Sequence, residues 1–205
     1  MDWIALGREL QAISQAGLHF STDRYDLERY ERIGRMAAEV LGARSDTPVE
    51  TISSWNRQEF GYPTPKVDVR GVVVRDNQVL LMSEAADGGR WTLPGGWADV
   101  NETPAQAVAR EVREETGFNC RVVTLLGVLD REKQGHIPSF PYHVYKLFFQ
   151  CEVISGSPTT SLESAAVSYF DVDQLPELSI ARVRPEQIRR LVKKVQAGDR
   201  TAEFD

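Results

Sequence analysis

Apolar residues recur every three or four positions through the first 60 residues: Trp3, Leu6, Leu10 and Ile13, then Leu27, Tyr30, Ile33, Ala37 and Leu41. This period predicts an amphipathic helix over residues 2–16, ending near Gly17, and a second over about 26–41, with Asp23 or Asp26 as cap and Gly42 just past its end. A third, shorter helix is predicted over about 49–60. Helices this short cannot close a core of their own and need a surface to pack on.

The period changes after "GYPTPKVDV" (61–69), where Pro63 and Pro65 block helix. "VDVRGVVVRDNQVLLMSE" reads as strand, Asp76-Asn77 turn, strand. A glycine loop follows, then a helix over about 104–116. "CRVVTLLGVLDRE", "HVYKLFFQCEVI" and "AVSYFDV" read as three more strands, and "PEQIRRLVKKVQAG" as a basic terminal helix. The resulting expectation is a helical domain over 1–62 and an α/β domain with a mixed sheet over 66–205. No long parallel crossovers are evident, which argues against a doubly wound sheet.

The chain has 205 residues, of which 41% are hydrophobic and 26% charged, as in ordinary globular proteins. A net charge of −6 weighs against a nucleic-acid binder that works by neutralising phosphates. Cys120 and Cys151 form no CxxC or Cys/His cluster, so neither a disulfide scaffold nor a zinc site is expected. The N-terminus has no signal-peptide pattern, and no apolar run approaches the ~20 residues that span a bilayer. A cytoplasmic protein without a membrane partner is the expectation.

The chemistry concentrates in "LPGGWADVNETPAQAVAREVREETGF", residues 93–118. Residues three and four apart share a helix face, so Glu111, Glu114 and Glu115 converge and repel one another. Hard carboxylate oxygens without His or Cys suit Mg²⁺ or Mn²⁺, ions that keep some waters and share their remaining positions with phosphates. The glutamates alone are better accounted for by a solvated helix face with Arg110 and Arg113 as partners, because such faces are common.

Spacing separates these two readings. Gly96, five residues, Glu102, seven residues, Arg110-Glu111-Val112, one residue, Glu114-Glu115, one residue, Gly117-Phe118 resembles the Nudix box at every defined position, nine positions in 23 residues. The resemblance implies an α/β/α sandwich and hydrolysis of a nucleoside diphosphate linked to another moiety. It implies Glu111, Glu114 and Glu115 as metal ligands together with the Gly96 carbonyl, and Arg110 as the residue that holds the glutamates. One of these three glutamates, Glu111, Glu114 or Glu115, or a further carboxylate, Glu163, would take the proton of the attacking water, with Glu152 the rival of Glu163. Gly95, Glu102 and Gly117 would shape the box. Thr103 or Asn101 is expected to cap the helix and Pro104 to occupy its first turn.

Specificity must come from outside the box. Arg70, Arg90, Trp97, Asp130, Tyr142 and His143 are the candidates to hold the rest of a nucleotide substrate. The N-terminal segment resembles the helical domain of a Nudix subset that acts on X-linked nucleoside diphosphates. That likeness implies a homodimer and, as substrate, CDP-choline or a similar compound, with ADP-ribose or a nucleotide sugar as the alternative. A module that senses nucleotides without turning them over is the alternative of another class, but such a module would be expected to lose box glutamates.

Overall fold

The computed structural model describes residues 1–161 and 164–205. The chain divides into two compact units. The first holds Met1–Lys66 and Ile137–His143; the second holds Val67–His136 and Val144–Asp205. The loop segment 137–143 thus belongs with the helices, although it lies inside the span read as one α/β domain.

The first unit contains α1 (Trp3–Phe20), α2 (Arg24–Gly42) and α3 (Val49–Gln58). Asp2 caps α1 by accepting the Ala5 N–H, and Asp23 caps α2 by accepting those of Tyr25 and Asp26; these bonds use N–H groups that the first turn leaves unpaired. Two sequence expectations are corrected here. α1 does not end near Gly17 but runs on to Phe20. Gly17 is a point of close approach: a Cβ there would lie 2.3 Å from the Tyr30 ring. The buried face of α1 is also not the Trp3/Ile13 stripe, whose two residues are 44% and 46% exposed. It is Ile4, Gly7 and Ser14. Gly7 sits against Leu41, and Ser14 Oγ donates to the Tyr30 carbonyl at 2.7 Å. Small residues let the two backbones approach, so the larger apolar side chains are turned outward. Ile4, Ala38, Leu41 and Ile52 form the small core.

The second unit is built on a seven-stranded sheet of β1 (Lys66–Arg75), β2 (Gln78–Glu84), β3 (Arg90–Thr92), β4 (Phe118–Asp130), β5 (Val144–Gly156), β6 (Ser164–Asp171) and β7 (Glu203–Phe204). The order is β3-β2-β1-β5-β4-β7, with β6 also pairing β2. The sheet is mixed: β1/β2, β2/β3, β2/β6 and β4/β5 are antiparallel, while β4/β7 is parallel. Helices α4 (Pro104–Thr116) and α5 (Pro185–Gln196) complete it.

Alternation along the strands makes two cores, because successive side chains leave a strand on opposite faces. Val69, Val73, Leu80 and Phe149 pack with Ala107, Val108 and Val112 of α4. Val72, Leu81 and Phe148 pack with Ile188, Leu191 and Val192 of α5. The result is the α/β/α layering, with α4 and its glutamates fixed on one face of the sheet.

Candidate active site

Helix α4 begins with a capping box. Thr103 Oγ1 accepts the Gln106 N–H (3.2 Å) while Gln106 Oε1 accepts the Thr103 N–H (2.9 Å). Pro104 follows at the first helical position, where its missing N–H costs nothing. Gly117 closes the helix at φ +75°, a left-handed conformation that glycine adopts without strain. Asn101, the other cap candidate, precedes the helix at φ +67°.

The glycine loop is laced to β1. Gly71 N–H donates to the Pro94 carbonyl (2.8 Å), Val69 N–H to that of Gly96 (2.8 Å), and Ala98 N–H to that of Val67 (3.0 Å). Gly95 has φ +142°, and a Cβ on it would lie 2.0 Å from the Val69 carbonyl oxygen. Only glycine passes there. The same Gly95 donates its N–H to Glu115 Oε2 at 2.6 Å. At Gly96 a Cβ would meet both carboxylate oxygens of Glu111 at 3.1 Å. The loop therefore lies directly against two of the three helix glutamates.

Arg110 ties the remainder together. Its Nε donates to both oxygens of Glu102 (3.0 and 3.1 Å), and its Nη1 to Glu111 Oε1 (2.8 Å) and Glu114 Oε2 (3.2 Å). Glu102 beside it raises the Arg110 pKa further. Glu111 and Glu115 are buried, whereas the Glu114 side chain is 51% exposed. Burial pushes the Glu111 carboxyl above its ordinary range, partly offset by Arg110 and Arg70. Burial pushes Glu115 up to about 8, against the pull of Arg70 and the Gly95 N–H and with the push of Glu111 and Glu84.

Beneath the loop lies a second charged group. Arg70 holds Asp68 with two bonds (2.9 and 2.7 Å) and donates to the Leu93 carbonyl (3.1 Å); Lys146 of β5 donates to Asp68 Oδ1 (2.7 Å). All three are buried. Burial alone would raise Asp68, but Arg70 and Lys146 outweigh it and hold its carboxyl well below the usual range. Burial brings Lys146 down to about 7.

The other sequence-predicted positions are distributed as follows. Arg70 lies in this buried group, with Nε and both terminal nitrogens engaged by Asp68 and Leu93, rather than on an open surface. Arg90 is exposed and paired with Asp87 (3.0 Å) and Glu177 (2.8 Å). Trp97 is 48% exposed beside the loop and bridges Asp68 through the backbone. Asp130 ends β4 and accepts the Glu132 N–H (2.8 Å). Tyr142 and His143 belong to the first unit, where Tyr142 stacks on Trp55 (5.5 Å between centroids) and the His143 carbonyl accepts the Lys66 N–H. Glu163 lies outside the described residues. Glu152 is on β5, paired with Arg121. Asp68, Lys146 and Glu84 were missed. Their signal was a charge inside an otherwise apolar strand run, as in "VDVRGVVV" and "VYKLFF".

Among the described residues, no three acidic, histidine or cysteine side chains stand gathered as a finished metal cage. Arg110 occupies oxygens of Glu111 and Glu114, and Gly95 one of Glu115. The donor set nonetheless fits a hard divalent cation. Three carboxylates sit within five residues of one helix beside a peptide loop, and burial and repulsion disfavour the charge of two of them, a cost that a cation relieves.

Comparison with known proteins agrees with this geometry. The NUDIX domain family model matches residues 65–191. A model described as a UDP-X-like, N-terminal oligomerisation domain matches residues 1–55. A Bacillus subtilis protein provisionally named ADP-ribose pyrophosphatase YjhB is 41% identical over 203 residues, 99% of this chain and 97% of its own. The crystal structure of a UDP-X diphosphatase, 33% identical, covers 100% of this chain and 98% of its own with a TM-score of 0.63. That of an ADP-ribose pyrophosphatase from Streptococcus suis is 30% identical and covers 69% of this chain and 100% of its own, also at 0.63.

Proposed function

The chain belongs to the Nudix hydrolase family, and on that premise we propose that it hydrolyses the diphosphate linkage of a nucleoside diphosphate joined to a second group, with a divalent metal ion. The observation that carries the reading is the complete box brought together: Glu111 and Glu115 buried against the Gly95-Gly96 loop, with Arg110 bonded to Glu102, Glu111 and Glu114.

Glu111, Glu114 and Glu115 would hold the ion, Mg²⁺ or Mn²⁺. Bound there, it supplies neutralisation of phosphate charge and a more acidic water. The chain's own residues do the rest. Arg110 fixes the rotamers of Glu111 and Glu114 through charge-assisted bonds. The Gly95 N–H aims one oxygen of Glu115. Burial keeps bulk water from competing for Glu111 and Glu115. Glu163 stays part of the proposal as the further carboxylate that accepts a proton from the attacking water.

ADP-ribose and UDP-X, the compounds in the relatives' names, share a nucleoside 5′-diphosphate esterified to a variable group. CDP-choline, the finer expectation from sequence, shares it too. The full-length likeness to a protein named for ADP-ribose puts that compound first. The helical unit is proposed to make a homodimer. The likeness of residues 1–55 to an oligomerisation domain supports this, as do Trp3, Ile13, Leu18 and Phe20, all exposed on α1.

The test is a panel of ADP-ribose, UDP-glucose, CDP-choline and ATP, with released nucleotides separated by chromatography. Turnover should require Mg²⁺ or Mn²⁺, stop with chelator, and fall by about 100-fold or more in Glu115→Gln. Chelator-resistant hydrolysis, or a fully active Glu115→Gln, overturns the reading.

A further inference from the structure

Asp68 is shared. Its Oδ1 accepts from Arg70 Nε at 2.9 Å and from Lys146 Nζ at 2.7 Å, and its Oδ2 from Arg70 Nη2 at 2.7 Å. The three side chains are 8%, 5% and 3% exposed, so water screens little of their charge. Two cations on one carboxylate leave a net positive charge in the interior. Arg131 is a further cation that disfavours the charge of Lys146, but it is itself paired with Glu132, so the surplus is that of the three-membered group. Of this group, Arg70 acts on the glutamates, favouring the ionised form of both Glu115 and Glu111. The group is also mechanically joined to the site. Arg70 Nη1 holds the Leu93 carbonyl at 3.1 Å, two residues before the Gly95 N–H that reaches Glu115.

A neutral ion pair would anchor the loop equally well. Lys146 is what makes the group cationic, and burying an extra ammonium is costly. Its effect is to draw on the carboxylate that would otherwise neutralise Arg70. The positive charge of Arg70 then offsets repulsion among the glutamates and opposes a second cation arriving there.

We propose that Asp68, Arg70 and Lys146 are positioning residues: a buried group of net positive charge, anchored to the glycine loop, that limits how tightly the glutamates hold a divalent cation. The proposal rests on the metal-dependent reading above. It assigns Lys146 a role in ion affinity that is exerted through Asp68 and Arg70.

The experiment is titration of the purified full-length protein with Mn²⁺ alone, free Mn²⁺ being followed by electron paramagnetic resonance at pH 6.5, where Lys146 is mostly charged. Lys146→Gln keeps a donor for Asp68 but removes one charge, and should bind Mn²⁺ about three- to tenfold more tightly. Lys146→Gln combined with Asp68→Asn has the wild-type net charge and should return to within about twofold of the wild-type Kd. A purely structural role predicts the opposite, weaker binding in the single variant and weaker still in the double. Unchanged or weaker binding in Lys146→Gln, or no reversal in the double variant, overturns the proposal. If wild type binds no Mn²⁺, the metal-dependent reading itself falls and takes this one with it. Should circular dichroism show Lys146→Gln unfolded, Lys146→Met with Asp68→Asn is expected at wild-type affinity, and a changed affinity overturns the proposal.

Discussion

Two adjacent glycines should fail in different ways when a methyl group is added. At Gly96 the new Cβ would lie 3.1 Å from both oxygens of Glu111 and 3.2 Å from its carboxylate carbon. Ordinary van der Waals contact begins a few tenths of an ångström further out. The backbone there is not left-handed, and a carboxylate at the end of a side chain can retreat, so the fold should lose under ~1 kcal/mol and Tm under about 4 °C. The retreat itself is the injury. Glu111 Oε1 is held at 2.8 Å by Arg110, so moving the carboxylate disturbs the rotamer that the site needs. A 1 Å misplacement can cost about 100-fold, so a shift of a few tenths should lower kcat about tenfold. Gly95→Ala is the contrasting case. Its φ of +142° excludes an L side chain, and the Cβ would fall 2.0 Å from the Val69 carbonyl oxygen, which is backbone and cannot move aside. Strain and overlap together should cost ~3 kcal/mol or more, a Tm loss of roughly 6–12 °C. Initial rates of ADP-ribose hydrolysis at saturating Mg²⁺, paired with thermal unfolding, check both. A Gly96→Ala enzyme with wild-type kcat would show that the Glu111 carboxylate position carries no catalytic weight. A Gly95→Ala protein as stable as wild type would refute the packing argument.

Two further outcomes follow from the same structure. Gly17→Ala sets a methyl 2.3 Å from the Tyr30 ring, so α1 and α2 must separate; the overpacking should cost about 1–3 kcal/mol in denaturant unfolding, and a neutral result would refute the close-approach reading. His136 is buried, its Nδ1–H donates to the Ile180 carbonyl (3.2 Å), its Nε2 has no hydrogen-bond partner among the described residues, and burial lowers its pKa to about 3. Between that value and about 6.5 the unfolded chain binds the extra proton, so stability is full above pH 6.5 and falls as pH drops towards 3. His136→Gln should flatten that slope by up to one proton, roughly 1.4 kcal/mol per pH unit; equal slopes in urea unfolding at several pH values would contradict it.

Much of the site was legible because its information is local. Glu111, Glu114, Glu115 and Arg110 lie within two turns of one helix, and helical period alone puts them within reach of one another. Arg110 reaches Glu102 eight residues away across a capped helix start whose Thr103 and Pro104 announce it. The substrate candidates were less legible. Arg90 is an exposed partner of Asp87, three residues before it, and of Glu177, and Tyr142 packs on Trp55; nothing in their immediate sequence names Glu177 or Trp55.

The sequence by itself determined the helices, the strand alternation and the order of the box, since each depends on residues a few positions apart. Tertiary structure alone decided which face of α1 is buried, because Gly7, Ser14 and Gly17 become an interface only when Leu41 and Tyr30 of α2 arrive. It alone joined Lys146 to Asp68 across 78 residues, making a lone charge in an apolar strand into one member of a buried group of three. The physical reason is common to both. Periodicity states which side of an element prefers to leave water, but burial of a charge or a bare backbone is decided by what the opposite surface supplies.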